Sequence, residues 1–293
     1  MKPKIIVISK QTSFDRFIQE ENNPIIELSN LVAANWKTSH KAHSKTLDLV
    51  VETVQNKAQL IFINTPTIDS IDIDNISLVI TVGGDGTLLS ASHNLPDNIP
   101  ILGVNSDPKT SVGYFCYGNY NNFTTLLDSI LENNYSSINL TRMQVKKNKK
   151  IISEFVLNDV LFCHACPANT SNYIIQIKDV ENNIQIIKEV QKSSGFWIGP
   201  AAGSTAARKS AGATQLDLKD NRLQFFAREL YTKPGAISGN KELLIQPNNI
   251  LTVFSKMENA VMYIDGGYKA IPVGLGDEVV FCKSCNDLKL VKD

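Results

Sequence analysis

The sequence predicts an α/β N-terminal domain with a parallel β-sheet, followed by a mostly β C-terminal domain. Short apolar runs alternate with helix-like patterns in the first third of the 293 residues. Near Ser136 to Asn139 the character changes to β-branched runs separated by turn residues. With 43% hydrophobic residues, the chain is long enough to bury a large core in two domains, which we place at residues 1–137 and 138–293.

The elements of the N-terminal domain follow from the spacing of their apolar residues. Short apolar runs predict strands over residues 4–9, 60–63, 78–82 and 101–104. Apolar residues at i, i+3, i+4 and i+7 predict a helix with one buried face that contains Leu47, Val50, Val51 and Val54. A second helix is predicted over residues 123–131. Strands that alternate with helices are typical of a parallel sheet covered by helices.

The C-terminal domain is predicted from β-branched runs with turn residues between them. Residues 173–190 read as a hairpin whose connection contains Asn182-Asn183. Asp265-Gly266-Gly267 supplies another turn. The other strand-like runs are residues 243–246, 250–254, 260–264, 278–283 and 288–291.

The charge balance limits the classes of partner. Twenty-nine basic residues balance twenty-nine acidic residues, so no net field attracts the protein to nucleic acid or to an anionic membrane. The first residues enter a strand-like run without the pattern of a signal or transit peptide. No stretch approaches the roughly 20 apolar residues of a membrane span. We therefore expect a soluble cytoplasmic protein that binds small molecules, with neither nucleic acid nor membrane as a partner.

The cysteines include two pairs with C-x-x-C spacing, Cys163 with Cys166 and Cys282 with Cys285. An odd total in a chain of this size favours reduced thiols over a disulfide framework. Four thiolates would be able to hold a structural zinc if the two segments met in space. Both pairs lie in strand-like runs without the Gly-rich turn of a zinc knuckle, which favours buried or half-exposed strand cysteines.

The strongest local signal is a glycine-rich turn between a hydrophobic strand and a helix-like segment. It reads Gly83-Gly84-Asp85-Gly86-Thr87. Glycines let the backbone approach a phosphate closely, and the N–H groups at the start of the following helix attract anions. Asp85 indicates a role toward a hydroxyl or a metal, because as a general base it would accept the proton of an attacking alcohol. The alternative is a tight surface turn in which Asp85 caps the helix.

This pentapeptide resembles a motif shared by NAD kinases, by diacylglycerol and sphingosine-type lipid kinases and, in looser form, by phosphofructokinases. A second motif, Asn158-Asp159, resembles the Asn-acidic motif with which NAD kinases recognise the nucleoside of the substrate. Asp159 would accept hydrogen bonds from a ribose diol, and Asn158 would pair with ribose or base. An Asn-Asp pair is also typical of a turn between strands.

A third motif favours the NAD kinases. Gly203-Ser204-Thr205-Ala206 resembles the stretch of that family that opens a helix of small residues and supplies backbone and hydroxyl contacts at its N-terminus. A Ser-Thr pair before alanine is also a good helix start. The three motifs follow the order and spacing of the family, and the resemblance extends over about residues 4–291. It implies an NAD kinase-like two-domain architecture with a Rossmann-like parallel sheet.

The resemblance implies a phosphotransferase that uses ATP and a divalent cation, expected to be Mg²⁺, to phosphorylate the adenosine-ribose 2′-hydroxyl of NAD or NADH. It implies that Asp85 is the catalytic residue. The implied phosphate-binding residues are Gly83, Gly84, Gly86, Thr87 and Lys192. The implied NAD-binding residues are Asn158, Asp159, Gly203, Ser204, Thr205 and Ala206. No residue is assigned to the metal, which would be bound mainly through the triphosphate. A homodimer or homotetramer is also implied.

Two alternatives to this function stay open. A lipid kinase with the same glycine loop would need an apolar acceptor channel or a membrane-facing surface, and the neutral charge and the Asn-Asp pair both argue against it. A catalytically silent nucleotide-binding module is the second alternative, although the intact Asp85 favours activity.

Several positions depart from the common pattern of the family, among them Pro200-Ala201-Ala202, where Thr-Pro-Thr is usual, and Ala207, where an aromatic residue is usual. Ser194 stands where most NAD kinases have an aspartate beside the nicotinamide end, and Lys192 stands where they have an arginine. Lys192 would contact phosphate as a point charge without the bidentate geometry of arginine. These changes resemble a divergent branch that includes mitochondrial-type NAD kinases and NADH kinases. The choice between NAD and NADH stays open, and Ser194 favours tolerance of the reduced acceptor.

Overall fold

The computed structural model of the chain describes residues 2–19, 30–64, 73–232 and 239–292. The chain divides into two compact units. The first comprises Met1–Ile138 together with Leu288–Asp293, and the second comprises Asn139–Asp287. The second unit is therefore one continuous stretch, whereas the C-terminal residues complete the first.

The first unit is built on a seven-stranded sheet. Its strands are β1 (Lys4–Ser9), β2 (Gln59–Ile63), β3 (Ile76–Gly83), β4 (Ile101–Asn105), β5 (Gly118–Asn119), β6 (Ser136–Leu140) and β19 (Leu288–Lys292). Its helices are α1 (Ser13–Gln19), α2 (Asn30–Lys57), α3 (Asp85–Ser92) and α4 (Phe123–Leu131). The strand order is β2-β1-β3-β4-β19-β6, with β5 beside β4. The strands β2, β1, β3 and β4 pair in parallel, as the alternation of strands and helices predicts.

The core of the first unit forms where apolar strand residues meet the buried faces of the helices. In β3, every residue from Leu78 to Gly83 is buried, as expected for a central strand covered on both faces. The described part of α2 buries residues three or four positions apart, which are His43, Thr46, Val50, Thr53 and Val54. His43 and Thr46 therefore extend the buried face of α2 beyond its buried valines.

The last strand belongs to the first unit. β19 pairs in parallel with β4 through Leu290 and Ile101. The sequence-based division at residues 137 and 138 places this strand in the C-terminal domain instead. Leu288, Leu290 and Val291 are all buried, and a short apolar run of this kind gives no indication of which sheet it completes.

The second unit contains two six-stranded antiparallel sheets. In spatial order, the first sheet consists of β11 (Ile184–Ser193), β10 (Ser171–Asp179), β15 (Asn249–Ser255), β18 (Glu278–Lys283), β7 (Met143–Lys147) and β8 (Lys150–Val156). The second consists of β14 (Glu242–Ile245), β13 (Leu223–Ala227), β12 (Phe196–Gly199), β9 (Val160–His164), β16 (Ala260–Ile264) and β17 (Lys269–Val273). A 3-10 helix (Ala201–Thr205) and the short α5 (Ala207–Ser210) follow β12.

Aromatic side chains of both sheets meet in the core of the second unit. The Phe196 ring centroid lies 5.1 Å from that of Phe162 and 5.0 Å from that of Tyr173. The predicted hairpin is present as β10 and β11, and Asn183 adopts a left-handed φ of 52° in its connection. The α/β first unit and the mostly β second unit confirm the predicted fold class.

Among the described residues, no helix combines the length and the apolar character that crossing a membrane requires.

Candidate active site

The glycine-rich turn lies at the carboxyl end of β3 and leads into α3. A Cβ atom on Gly83 would lie 2.9 Å from the Thr87 Cβ, and one on Gly84 would lie 2.6 Å from the Ser111 hydroxyl oxygen. Thr87 donates its backbone N–H to the Gly84 carbonyl at 3.0 Å. A side chain at position 83 would therefore collide with Thr87, whereas one at position 84 would require the Ser111 hydroxyl to move.

The Asp85 carboxylate is fixed by a neighbouring loop. Its Oδ2 accepts the Tyr114 N–H at 2.9 Å, and its Oδ1 accepts the Phe115 N–H at 2.8 Å. The N-cap position of α3 is Gly84, so Asp85 does not cap the helix as the alternative interpretation expects. Each carboxylate oxygen has more than one acceptor site, so the carboxylate is held in one orientation and is still able to accept a hydroxyl proton.

A buried histidine, which the sequence pattern did not reveal as part of the site, links this turn to two strand ends. Ser106 donates its backbone N–H to the Gly83 carbonyl at 3.0 Å. His43 Nδ1 lies 2.9 Å from the Ser106 hydroxyl, and its Nε2 lies 3.0 Å from the Ser9 hydroxyl. Burial lowers the pKa of His43 to about 4, and the positive charge of Lys10 contributes. The imidazole is therefore neutral at pH 7, and it connects α2 to the ends of β1 and β4.

The second and third sequence motifs lie together in the second unit. A Cβ atom on Gly203 would lie 2.6 Å from the Asn158 side-chain oxygen. A Cβ atom on Gly199 would lie 2.9 Å from the Asp159 Cα. Both glycines thus allow the backbone of the Gly203 segment to pack directly against the Asn158-Asp159 segment.

A fully buried arginine holds these segments in place. Arg208 Nη1 donates to the Gly199 carbonyl at 2.8 Å and to Gln224 Oε1 at 3.0 Å. Its Nη2 donates to the Asn158 carbonyl at 3.2 Å and to the Pro200 carbonyl. Burial lowers the pKa of Arg208 to about 10, so the guanidinium is charged at pH 7. This role could not be predicted from the sequence, because an arginine that follows alanines is typical of a solvent-exposed helix position.

Asp265 organises the backbone of the Asn-Asp motif. Its Oδ1 accepts the N–H groups of Asn158 at 2.8 Å and of Asp159 at 3.0 Å, and its Oδ2 accepts that of Leu157 at 3.1 Å. The Asp265 N–H in turn donates to the Asp159 carbonyl at 2.8 Å. The residue that the sequence assigns only to a turn therefore fixes three consecutive amides of the candidate site.

The Asp159 carboxyl is buried, and its Oδ2 has no hydrogen-bond partner among the described residues. Burial raises the pKa of Asp159 to about 7. The Arg208 charge opposes this rise, and the Asp265 charge adds to it. A buried acceptor without a partner is costly, and a hydroxyl donor from a ligand would satisfy it.

The Gly-Ser-Thr-Ala segment differs from the expected helix start. It forms the end of the 3-10 helix, and the α-helix that follows has only four residues. The buried Ser204 hydroxyl accepts the Leu216 N–H at 3.0 Å, so it stabilises the local fold. The short helix ends because Gly212 turns the chain with a left-handed φ of 96° and the Ala213 N–H returns to the Arg208 carbonyl at 3.0 Å.

Lys192 and Ser194 line one cavity of about 670 Å³ in the second unit. Asn172 and Tyr231 also line it. The Ser194 carbonyl accepts a hydrogen bond from Arg228 Nη1 at 3.4 Å. Two of the positions that depart from the common family pattern therefore share a cavity, and the Arg228 guanidinium lies next to Ser194.

The described residues contain no group of three or more His, Cys, Asp or Glu side chains placed to hold a metal. Cys163 and Cys282 lie on strands of different sheets, and both are half-buried. Cys166 and Cys285 are exposed. The zinc alternative therefore has no assembled ligand set in the described part of the chain.

Comparison with known proteins decides the family. The family described as the ATP-NAD kinase N-terminal domain matches residues 11–135. A probable NADH kinase of Oryza sativa subsp. japonica is 32% identical over 284 residues, which cover 91% of this chain and 86% of that protein. This chain belongs to the NAD kinase family. The resemblance that the three sequence motifs indicate is confirmed.

Solved structures of NAD kinase family members share this fold. An NAD kinase from Archaeoglobus fulgidus, crystallised in complex with ATP, has a TM-score of 0.67 and 17% identity, with 98% of this chain and 92% of that chain covered. The yeast NADH kinase complexed with NADH has a TM-score of 0.66 and 16% identity, with 100% and 84% covered. In this NAD kinase family member, the first motif lies in the α/β unit and the other two lie in the mostly β unit.

Proposed function

We propose that this chain is an NAD(H) kinase, which transfers the γ-phosphoryl group of ATP to the adenosine-ribose 2′-hydroxyl of NAD or NADH. The observation that carries the proposal is the Asp85 carboxylate in the glycine-rich turn, held in one orientation by two backbone N–H groups. Membership of the NAD kinase family and the NADH kinase names of its relatives support the same reaction.

The turn residues have two proposed roles, which are phosphate binding and acceptance of a proton. Gly83, Gly84 and Gly86 present backbone donors to nucleotide phosphates, and Thr87, whose N–H donates to the Gly84 carbonyl, contributes its hydroxyl. Gly86 has open space around its Cα, which leaves room for a phosphate to approach the backbone. Asp85 accepts the proton of the ribose hydroxyl as that oxygen attacks phosphorus. Lys192 contributes a point charge toward phosphate in the cavity that it lines.

The acceptor dinucleotide is recognised by the Asn158-Asp159 and Gly203 segments. The unpartnered buried oxygen of Asp159 accepts a hydrogen bond from a ribose hydroxyl, and the Asn158 amide pairs with ribose or base. Thr205 and Ala206 offer contacts at the adjacent turn. The Ser204 hydroxyl is used within the fold, so this residue contributes mainly by positioning its neighbours.

A divalent cation fits a site that has few protein ligands. Mg²⁺ is commonly bound through one or two carboxylates and the phosphates of the substrate, and it neutralises charge during phosphoryl transfer. Asp85 supplies one carboxylate with acceptor capacity beyond its two backbone hydrogen bonds. The triphosphate would supply most of the ligands of the cation.

We also propose a cytoplasmic homo-oligomer, either a dimer or a tetramer. Ile184, Ile186 and Val190 on the edge strand β11 are 58%, 52% and 61% exposed, and edge strands with exposed apolar side chains favour association. Light scattering during gel filtration would test this. An Ile186→Asp variant should shift toward the monomer, and a monomeric parent chain would contradict the proposal.

Product identification tests the reaction and separates it from its alternatives. Purified protein is incubated with ATP and Mg²⁺ and with NAD, NADH or diacylglycerol, and each product is identified by mass spectrometry. We expect NADP or NADPH and no phosphatidic acid. Phosphorylated lipid would support a lipid kinase, against which the family membership argues. The absence of a phosphorylated product from every reaction would support a silent module.

A further inference from the structure

The order of strands in the first unit reverses its direction between β1 and β3. The chain leaves β1 through α2 and returns as β2 on one side, whereas it leaves β3 through α3 and returns as β4 on the other side. In open parallel sheets, the crevice outside the carboxyl ends of the strands at such a switch point is where ligands bind. The residues that end β1 and β3 therefore face the preferred ligand position of this sheet.

Lys10 lies at this switch point beside the glycine-rich turn. The last aligned pair of β1 and β3 is Ser9 with Val82, so the next residues of the two strands are Lys10 and Gly83. Paired strands lie about 4.8 Å apart. Lys10 and Gly83, the first residue of the Gly83–Thr87 turn, thus each follow the last paired position of two adjacent strands, although 83 − 10 = 73 positions separate them in the sequence.

The charge of Lys10 acts across the carboxyl ends of the strands. It lowers the pKa of His43 on α2 and of Asp107, two residues after the end of β4. In the sheet, β3 lies between β1 and β4, and its end carries Gly83 and Gly84. The half-buried Lys10 side chain is therefore close to the turn that we assign to phosphate.

The ammonium group of Lys10 has no hydrogen-bond or ion-pair partner in the part of the chain that the structure describes. The Asp107 carboxylate, on which the Lys10 charge acts, accepts the Thr110 hydroxyl at 2.6 Å and thus has a donor of its own.

We propose that Lys10 binds a phosphate group of the polyphosphate chain of a nucleotide at the Gly83–Thr87 turn. This rests on the proposed NAD(H) kinase function and adds to it a cation that no motif indicates. An ammonium is a compact charge with three donors and is well suited to phosphate oxygens. Two nucleotides in the reaction carry such a chain, the triphosphate donor and the dinucleotide acceptor with its pyrophosphate.

The test compares Lys10→Met, which keeps the length of the side chain and removes its charge, with Lys10→Arg and with Lys41→Met on an exposed position of α2. Calorimetry measures the dissociation constants of ATP, NAD and adenosine for each variant and for the parent. We expect Lys10→Met to weaken binding of ATP or of NAD by about 10- to 100-fold, the range for a hydrogen bond to a charged group. Adenosine binding and the Lys41→Met variant should match the parent, and Lys10→Arg should recover most of the affinity.

The two nucleotides distinguish the source of the phosphate. A loss confined to ATP places Lys10 on the donor, and a loss confined to NAD places it on the acceptor. Unchanged affinity for both nucleotides in a folded Lys10→Met variant overturns the inference, as does an equal loss in Lys41→Met or for adenosine. Should Lys10→Met fail to fold, Lys10→Gln takes its place. A parent chain that phosphorylates neither NAD nor NADH refutes the proposed function itself, whereas an active parent with an unaffected Lys10→Met variant refutes only the role of Lys10.

Discussion

The Oδ1 atom of Asp265 lies 2.8 Å from the backbone nitrogen of Asn158, although the two residues are 107 positions apart in the sequence. The same carboxylate also accepts the N–H groups of the residues on either side of Asn158. The geometry of the Asn158-Asp159 segment is therefore set by a residue of another turn. In the proposed reaction, Asp265 acts as a positioning residue for the acceptor nucleoside.

Asp265→Asn should weaken recognition of the acceptor more than that of ATP. The amide supplies one acceptor oxygen where the carboxylate supplies two, so at least one N–H of the 157–159 segment loses its partner. The asparagine tolerates the left-handed φ of 45° at this position, so the backbone is retained. We expect a higher KM for NAD(H), a nearly unchanged KM for ATP, and a loss of unfolding free energy of about 1 to 3 kcal/mol.

Asp179→Asn is the matched control for this variant. Its carboxylate also accepts two backbone N–H groups, those of Glu181 and Asn182, in the exposed β10–β11 connection. The control should leave both KM values at those of the parent. Equal increases of the KM values for acceptor and donor in Asp265→Asn would show that this residue maintains the fold in general.

The features that the sequence predicted are those that rest on local periodicity. The strand at Lys4–Ser9 and the helix at Phe123–Leu131 have the predicted bounds, because apolar residues at these positions fill one core. The glycine-rich turn was also recognisable, since glycines between a buried strand and a helix form a local pattern. Such features can be predicted because the residues that determine them lie close together in the sequence.

The supporting residues of the site could not be predicted because their partners are distant in the sequence. Arg208 is fully buried by contacts with segments near Asn158 and Gln224, and nothing in its own surroundings in the sequence indicates this. His43 continues a buried helix face as a polar residue because two serine hydroxyls meet it. Such pairings depend on the sheet order, which periodicity does not determine.

Asp85→Asn should lower turnover strongly while ATP affinity is largely retained. The amide keeps the shape of the side chain and loses the charge and the proton acceptor, and general-base contributions of about 10²- to 10⁴-fold set the expected fall in kcat. The measurement is kcat together with the dissociation constant of ATP. Because the carboxylate also holds the loop at Tyr114 and Phe115, a parallel loss of ATP affinity and of thermal stability would assign the effect to that loop.

Asp159→Asn should make stability less dependent on pH. Burial raises the pKa of Asp159 from 3.8 to about 7, so over this range the folded chain keeps a proton that the unfolded chain has released. The stability that this group contributes is present below pH 3.8 and is lost as the pH rises to about 7. Asparagine resembles the protonated carboxyl group. The unfolding free energy of the variant should therefore rise relative to that of the parent from pH 4 to pH 7, and the difference should stay constant up to pH 8.

Urea unfolding of Asp159→Asn and of the parent at each pH measures this difference, which should reach the order of a few kcal/mol at pH 8. Effects of other titrating groups cancel between the two proteins. Asp179→Asn serves as the reference, because Asp179 has a lowered pKa through its hydrogen bonds with Asn182 and should give a constant difference above pH 5. A constant difference in Asp159→Asn as well would mean that Asp159 is ionised throughout.

The last prediction is that the enzyme accepts NADH at least as well as NAD and that charge at position 194 controls this choice. Ser194 is neutral, and the Arg228 guanidinium that donates to its carbonyl at 3.4 Å also forms an ion pair with Glu229 at 3.9 Å, so position 194 itself offers no carboxylate to the cationic oxidised ring. An aspartate at this position would attract that ring by about 1 kcal/mol at 4 Å in water, or about fivefold in preference, and by more where solvent is excluded. We therefore expect Ser194→Asp to shift selectivity toward NAD and Ser194→Asn, its neutral counterpart, to leave it unchanged. The measurement is a competition between NAD and NADH at equal, sub-saturating concentrations. A strong preference of the parent for NAD, or equal selectivity in Ser194→Asp and Ser194→Asn, would show that electrostatics at this position does not govern the choice of acceptor.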